Sequence, residues 1–371
     1  MANNKKKFLE YFFLFIIIII SSSFDLFTLL FALSLLLVSY FNLGIETTFK
    51  NSTTTKQKHG INKKRSSRLG GIIILSFIVI NLLFDHNLNL IINETEKLIF
   101  YIIIIFFISF LGLADDVLNG INYGFKLYVL FFSILILIFT NNVFLVNSSG
   151  IYFLDYFLNN YIFSFVITFF IISGFINASN MADGANGILS GIAFCFSLIL
   201  FLHTNELIFF ILFKFLFIFF LYNIFISNVF LGDTGSYFLG FIISTISLYY
   251  FNNNQISAGF FACILSYPCL EIIFSILRRF RLRQNPFKPD NQHLHNLIFI
   301  FLKKNLKKFN YTNSLTGITI NIFFVLPAFS YYLYYKDFND VHFWYIFVFH
   351  VFFYISSYTY ILQQTTNRNI D

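Results

Sequence analysis

Long apolar segments constrain this chain more than any other feature. About eleven runs of mostly apolar residues are each close to the length that crosses a bilayer as a helix. The strands of a membrane barrel would alternate between polar and apolar residues, which these runs do not. Because backbone N–H and C=O groups in lipid must be hydrogen-bonded within the protein, the runs are predicted to be helices. With 58% hydrophobic and 11% charged residues, the chain is predicted to be an all-α polytopic integral membrane protein. The runs lie near residues 24–43, 70–86, 96–114, 125–143, 160–179, 187–204, 207–230, 236–252, 257–277, 316–335 and 342–363.

Residues 1–23 are predicted to form a separate N-terminal segment. Lys5 to Lys7 and the apolar run 8–20 resemble a signal peptide, but Ser21 to Ser23 lead directly into the next apolar run. This order favours a signal anchor or an extra helix over a cleaved leader. Residues 24–371 are then predicted to be one transmembrane domain.

Basic residues set the predicted orientation. The net charge of +7 could indicate nucleic acid, but Lys and Arg concentrate in loops near 44–69 and 278–315, between the apolar runs, so no nucleic-acid partner is predicted. Both loops are predicted to be cytoplasmic by the positive-inside rule, and an even number of crossings separates them. The polar turns near 115–124, 180–186 and 231–235 then fall on the same face.

Two of these turns carry carboxylates suited to chemistry. Asp115 and Asp116 are adjacent, and like charges this close suit a metal-binding or proton-accepting role, with a solvated helix end as the alternative. Asp233 lies between two glycines, where backbone and helix N-terminal amides can approach a phosphate. The alternative for Asp233 is a helix N-cap. Phe230, just before that turn, is a candidate for stacking on a base.

The third turn holds the densest group of polar residues. It combines amides, a carboxylate and two glycines at the end of a membrane helix, where such groups are costly in hydrocarbon and indicate a functional site. Its candidate residues are Asn177, Asn180, Asp183 and Asn186.

The basic loops add candidates for anion binding. Arg68 precedes a pair of glycines, and Arg279 belongs to an arginine cluster; contact with phosphate and a generic inside-positive stop are both open. His293 and His295 can converge in a turn, and because no Cys or third His lies nearby, anion or substrate binding is favoured over zinc.

Two charged residues lie inside apolar runs. Glu271 follows Pro268 and is predicted to be a buried hydrogen-bond partner rather than a catalyst. Lys214 is predicted to extend its ammonium group towards the interface.

Together these clusters describe a site where a metal-bound diphosphate meets a membrane substrate. The chemistry indicated is phosphoryl transfer, in which positioning and charge neutralisation supply most of the catalysis. Mg²⁺ is the predicted cofactor, with Mn²⁺ as the alternative.

From about residue 24 to the end, the motifs resemble those of the polyprenyl-phosphate N-acetylhexosamine-1-phosphate transferases. This group is the undecaprenyl-phosphate GlcNAc-1-phosphate transferase-like branch of glycosyltransferase family 4, related to the phospho-N-acetylmuramoyl-pentapeptide transferases. The matching pieces are Arg68-x-Gly70-Gly71, Gly112-x-x-Asp115-Asp116, Asn177-x-x-Asn180-Met-x-Asp183-Gly184-x-x-Gly187, Phe230-x-Gly232-Asp233-x-Gly235-Ser236 and Pro286-Phe-x-x-Asp290-x-x-His293-x-His295.

The resemblance implies that a polyprenyl phosphate attacks the sugar-bearing phosphate of a UDP-N-acetylhexosamine and releases UMP. Asp233, with Asn180, would bind Mg²⁺, and Asp115 and Asp116 would handle the lipid phosphate or its proton. The implied location is the bacterial inner membrane, with the site facing the cytoplasm and a homodimer left open. The implied substrate-binding residues are Asn177, Asn180, Asp183, Asn186, Phe230, His293, His295, Arg68 and Arg279.

Two departures from the family pattern leave alternatives open. Asn186 stands where the family usually has a second Asp, and Asn296 replaces a further His. The histidine motif is typical of the branch that starts O-antigen and similar glycans, with the peptidoglycan branch as the second choice. A transporter and an inactive lipid-binding homologue are the non-enzymatic alternatives; a transporter would place its carboxylates near the bilayer midplane.

Overall fold

A computed structural model describes residues 2–41, 67–84, 95–118, 120–149, 152–284, 291–306, 311–338 and 341–366. Most of the basic loop 44–69 and the predicted Pro286 to Asp290 motif lie outside these residues. The helices of the described part are α1 Ala2–Phe24, α2 Leu26–Tyr40, α3 Gly70–Phe84, α4 Thr95–Leu118, α5 Tyr123–Thr140, α6 Tyr152–Leu158, α7 Tyr161–Ala182, α8 Ile188–Thr204, α9 Leu207–Phe225, α10 Gly232–Asn252, α11 Ala258–Ile264, α12 Ser266–Arg281, α13 Leu294–Asn305, α14 Thr312–Phe324, α15 Leu326–Tyr335 and α16 His342–Thr366.

The all-α membrane fold is confirmed at the level of apolar helices. Within the described ranges, five helices are long and apolar enough to cross a bilayer, and up to seven spans result if each of two bent pairs counts as one. Every predicted apolar run overlaps a helix or a bent pair. The count of eleven crossings and the cytoplasmic orientation stay predictions.

The predicted ninth segment is a bent pair of helices. α11 and α12 meet at an angle of 75°. Pro268, in the first turn of α12, has no N–H to donate to the carbonyl of Ile264 four residues earlier, which weakens the continuous helix at this point. At the break, Ser266 Oγ hydrogen-bonds His350 Nδ1 of α16 at 2.8 Å. The bend directs the second half of the segment towards the histidine loop.

α10 is the central helix of the bundle and packs against α3, α4 and α7. Glycines permit the close approaches: a Cβ on Gly112 of α4 would lie 2.5 Å from the carbonyl oxygen of Asp233. Gly71 of α3 rests on Gly235 in the same way. These glycines allow the helices to pack closely against one another. Gly235, which was predicted from the sequence to let backbone approach a phosphate, contacts α3 instead.

The N-terminal helices form a hairpin beside α9. Phe13 of α1 stacks on Phe225 at 4.1 Å between ring centroids, and Phe24 lies 6.1 Å from Phe210, so α1 runs antiparallel to α9. α1 is thus an added helix packed on the domain. Whether it crosses the membrane stays a prediction.

The prediction that Lys214 extends to the interface is wrong. Lys214 is 4% exposed and pairs with Asp25, the N-cap of α2, while it donates to Asn81 Oδ1 of α3 at 3.1 Å. Its length would reach the interface, but a carboxylate and an amide at its own depth satisfy the ammonium group more directly. This cluster ties the hairpin to α3 and α9.

We expect Lys214→Met to destabilise the protein, because it leaves Asp25 without its cation. Since the Asp25 side chain is 36% exposed, the loss should be roughly 1–3 kcal/mol, below that of a fully buried pair. The measurement is the thermal unfolding midpoint in detergent. Adding Asp25→Asn, which keeps an acceptor for the Thr28 amide, should restore part of the loss. A single variant that melts like wild type would show that the pair contributes no stability.

Candidate active site

The first turn of α10 is capped by a carboxylate from another helix. Asp116, near the end of α4, accepts hydrogen bonds from the Thr234 amide and hydroxyl, both at 3.1 Å, and from the Asp233 amide. α10 has no side-chain N-cap of its own. Two of its N-terminal amides therefore bind Asp116. From the sequence, these amides were expected to bind a phosphate, but in the structure they bind this carboxylate.

Arg68 reaches the same carboxylate from a short extended segment. Its Nη1 lies 3.4 Å from Asp116 Oδ1. The position of Arg68 is set by backbone pairing of residues 67–71 with 228–231, in which the Phe230 amide donates to Ser67 and the Gly70 amide donates back to Phe230. Arg68, Phe230 and the Asp233 turn are thus brought together, as predicted, with the Phe230 side chain half-buried.

Asp115 has its own cation, which the sequence reasoning missed. Lys126 of α5 pairs with Asp115 Oδ2, and the Ile121 amide donates to Asp115 Oδ1 at 2.7 Å. Asp115 also interacts with the Asp233 side chain. The sequence did contain a signal, because Lys126 is the one charged residue of the predicted apolar run 125–143.

Asp183 and Asp233 complete a cluster of four carboxylates, and both are half-buried. Burial raises the pKa of Asp233 to about 8, with the charges of Asp116 and Asp115 adding to the effect and Arg68 opposing it. Burial likewise raises the pKa of Asp183 well above its usual value, again with Asp233 and Asp116 adding to it. α4 and α7 also end here, and helix C-termini carry partial negative charge. If all four carboxylates are ionised, their negative charge exceeds what Arg68 and Lys126 balance, so the site favours a further cation.

The oxygen-rich cluster fits a shared cation better than a closed metal cage. Among the residues that the structure describes, no three His, Cys, Asp or Glu side chains are disposed to hold one ion. Mg²⁺ is commonly held by one or two carboxylates plus substrate phosphates and water. Asp233 and Asp183 fit this arrangement. Asn180, predicted as a metal ligand, hydrogen-bonds the Tyr237 side chain.

The histidine segment meets the cluster at Gly184. His295 is 2% exposed, its Nδ1 lies 2.9 Å from the Tyr267 hydroxyl, and a Cβ on Gly184 would overlap its Nε2. The His293 ring is parallel to it at 5.4 Å. Burial lowers the pKa of His295 to about 4, so the ring is neutral. His295 thus supports the Asp183 turn as a neutral ring, and its role in anion or substrate binding stays a prediction.

Comparison with known proteins gives a family match for the central part of the chain. Residues 98–251 match the model of glycosyl transferase family 4, and these residues are similar to that family over less than half of the chain. The matched residues include nearly all of α4 and α10, the whole of α7, and all four carboxylates.

The curated proteins that resemble this chain carry related names. An undecaprenyl-phosphate alpha-N-acetylglucosaminyl 1-phosphate transferase of Thermotoga maritima is 34% identical over 124 residues, 33% of this chain and 39% of the relative. One of Yersinia pestis is 29% identical over 150 residues, 37% of this chain and 41% of the relative. A phospho-N-acetylmuramoyl-pentapeptide-transferase of Fervidobacterium nodosum is 28% identical over 226 residues, 58% of this chain and 68% of the relative. The chain therefore matches about 40% of the length of the first two relatives.

Two further predicted substrate ligands, Asn177 and Arg279, lie in helices α7 and α12. Asn177 donates from Nδ2 to the Ser173 carbonyl of its own helix at 2.7 Å. Arg279 lies in the last turn of α12 and is 7% exposed. Their substrate-binding roles stay predictions.

Asn186 has a role that the sequence did not indicate. It is 2% exposed, and its Nδ2 donates to Ser227 Oγ at 2.7 Å and to Ser314 Oγ at 3.2 Å. Its Oδ1 accepts from Asn313 Nδ2 at 2.9 Å. Protein partners therefore use its side-chain groups, and the structure assigns Asn186 to joining α8, α9 and α14 instead of to the substrate.

The amide at position 186 is required by its neighbours. The Ser227 and Ser314 hydroxyls donate to the carbonyls of Asn223 and Ile224, at 3.1 and 2.6 Å. Their oxygens therefore face Asn186 as acceptors. A carboxylate at this position would meet lone pairs with no hydrogen to share.

We therefore expect Asn186→Asp to destabilise the protein by about 1–3 kcal/mol, because it buries a charge against acceptors. The measurement is the thermal unfolding midpoint together with activity at a temperature where both forms are folded. An Asp variant that melts at the wild-type temperature would show that the serine hydroxyls turn to donate. If the Asp variant is more active than wild type, a carboxylate at position 186 contributes to catalysis.

Proposed function

We propose that this protein transfers N-acetylhexosamine-1-phosphate from a UDP-sugar to a polyprenyl phosphate such as undecaprenyl phosphate. A lipid phosphate oxygen bonds to the sugar-bearing phosphorus, the phosphoanhydride bond breaks, and UMP leaves. The observation that carries the proposal is the group of four carboxylates with Lys126 inside residues 98–251, which match glycosyl transferase family 4, together with Arg68, which reaches the group from outside that match. The names of the relatives supply the substrate class.

Each group of this chain has a distinct part in the proposed reaction. Asp233 and Asp183 would hold Mg²⁺, which when bound neutralises charge on the diphosphate. Lys126 and Arg68 would attract the two phosphates and orient them. Asp115, beside Lys126, is the candidate for the lipid phosphate or its proton. Asp116 is already bonded to the start of α10 and would position Asp233 without touching the reacting atoms.

The lipid substrate has a direct approach to the cluster. Phe106, Phe107 and Phe110 of α4 are 44%, 53% and 65% exposed on the helix whose last turn carries Asp115. A polyprenyl chain in the bilayer could lie along this face while its phosphate meets Lys126. We place the protein in the bacterial inner membrane with the site at the cytoplasmic side. Basic residues at this end of the bundle, including Arg68, support that orientation.

The peptidoglycan branch is the second candidate. The Fervidobacterium relative covers 58% of this chain, more than the other relatives described above. The name of that relative indicates a phospho-MurNAc-pentapeptide donor. The histidine segment favours the GlcNAc-type branch, which starts O-antigen and similar glycans.

Purified protein should release UMP in detergent when given polyprenyl phosphate, Mg²⁺ and one UDP-N-acetylhexosamine. Chelation should abolish release and added Mg²⁺ should restore it, because the surplus negative charge needs a cation. A panel that includes UDP-GlcNAc and UDP-MurNAc-pentapeptide separates the two branches. No release with any donor, from monodisperse folded protein, would overturn the proposal.

We expect Asp233→Asn to reduce turnover at least about 100-fold, because it removes a proposed ligand of the cation that stabilises the transition state. The thermal midpoint without metal should not fall, since the change relieves repulsion among crowded carboxylates at nearly constant volume. Asp155→Asn is a suitable control, because Asp155 bonds Ser149 in the segment before α7 instead of the cluster. Retained turnover in Asp233→Asn would remove Asp233 from the mechanism.

A further inference from the structure

Glu271 of α12 is a fully buried carboxylate that collects donors from the histidine segment. Its Oε1 lies 2.9 Å from His293 Nδ1. Its two oxygens accept from the Leu294 amide at 3.3 and 3.2 Å. The Tyr267 hydroxyl, one turn earlier on α12, also interacts with Glu271. The Tyr354 side chain of α16 interacts with Glu271 as well. The carboxylate is 0% exposed, so its charge depends on such protein partners instead of on water.

A chain of contacts leads from Glu271 to the carboxylate cluster. The Tyr267 hydroxyl contacts Glu271 on one side and His295 Nδ1 on the other, at 2.9 Å. His295 Nε2 lies against Gly184, next to Asp183 in the chain. No larger residue fits at position 184 without moving the imidazole or the turn. The orientation of His295 therefore bears directly on the position of Asp183.

The hydrogen-bond directions in this chain follow from chemistry. An ionised carboxylate only accepts, so the Tyr267 hydroxyl donates to Glu271, and its oxygen is left to accept from His295 Nδ1–H. A neutral imidazole has one N–H, so the lone pair of His295 lies on Nε2 and faces the turn. His293 donates from Nδ1 to the same carboxylate when it is neutral. Glu271 thus selects the tautomer and the ring orientation of the pair.

We propose that Glu271 is a positioning residue of the transferase site, which orients His293 and His295 and through them holds the Asp183 turn at the carboxylate cluster. The inference rests on the proposed function, since it assigns the turn to donor binding. The same arrangement of a carboxylate that fixes an imidazole is widespread in catalytic and metal sites.

A purely structural role for Glu271 at the helix break is less well supported. The break between α11 and α12 already has a polar partner, since His350 bonds Ser266 there. Glu271 lies further along α12 and bonds the start of α13 instead. Its donors therefore join the histidine segment to α12, and the geometry of the site depends on that junction.

The test is Glu271→Gln, which keeps the volume but replaces one acceptor oxygen with a donor facing other donors. We expect KM for the UDP-sugar to rise at least about 10-fold, because the turn that binds the donor shifts. KM for the polyprenyl phosphate should stay within about twofold. Glu206→Gln is the matched control, because Glu206 also bonds a tyrosine hydroxyl, that of Tyr250, in another part of the bundle.

Histidine NMR separates this inference from the proposed function. In ¹⁵N-histidine-labelled protein, the signal assigned to His295 by its loss in His295→Gln should show the Nδ1–H tautomer. Tyr267→Phe and Glu271→Gln should shift that signal towards a mixture, and Glu206→Gln should not. If the wild-type protein releases no UMP but shows these histidine signals, the proposed transferase function is overturned and the contacts from Glu271 through Tyr267 to His295 are still supported. An unchanged tautomer, or equal rises of both KM values in Glu271→Gln, would overturn the positioning role.

Discussion

The site depends on one contact between two helices, the Asp116 carboxylate bound to the first turn of α10. A helix that begins without its own N-cap leaves amide groups that need acceptors, and Asp116 supplies them from α4. The contact is only reachable because Gly112 lets α4 approach the Asp233 backbone. Gly232, with φ of 70°, turns the chain into the helix at the same point. The position of Asp233 is therefore fixed by backbone contacts before any ligand is bound.

The contact between α4 and α10 brings like charges together. Protein contacts around the cluster offset part of the resulting electrostatic repulsion. Asp115 and Asp116 each have a cation and backbone amides as partners. Burial raises the pKa values of Asp183 and Asp233, and the negative charges of neighbouring carboxylates add to the effect. Such a pair gains most from a divalent cation, because the neighbours that hold the helices are already satisfied.

The sequence predicted where the chemistry lies but not how the residues are held. The even number of helices between turns brought Asp116, Asp183 and Asp233 to one face, as the structure has them. It could not indicate that Asp116 would cap a helix 118 residues later, because a cap is normally read from its own helix. The error at Lys214 has the same origin, since its partner Asp25 lies 189 residues away. The local sequence pattern indicates which residues are charged or polar at a given position. Their binding partners are identified only by the packing of helices that are distant in the sequence.

The departure at position 186 follows from this distribution of charge. Asp183 and Asp233 already crowd each other, and a further carboxylate in the same turn would add to the repulsion. The Asn186 side chain instead hydrogen-bonds Ser227, Ser314 and Asn313. These neutral hydrogen bonds hold the end of the turn that follows Asp183. His295 supports the near side through Gly184. The turn that presents Asp183 is thus held from both sides by uncharged groups, which leaves its carboxylate as the charge free to respond to a cation.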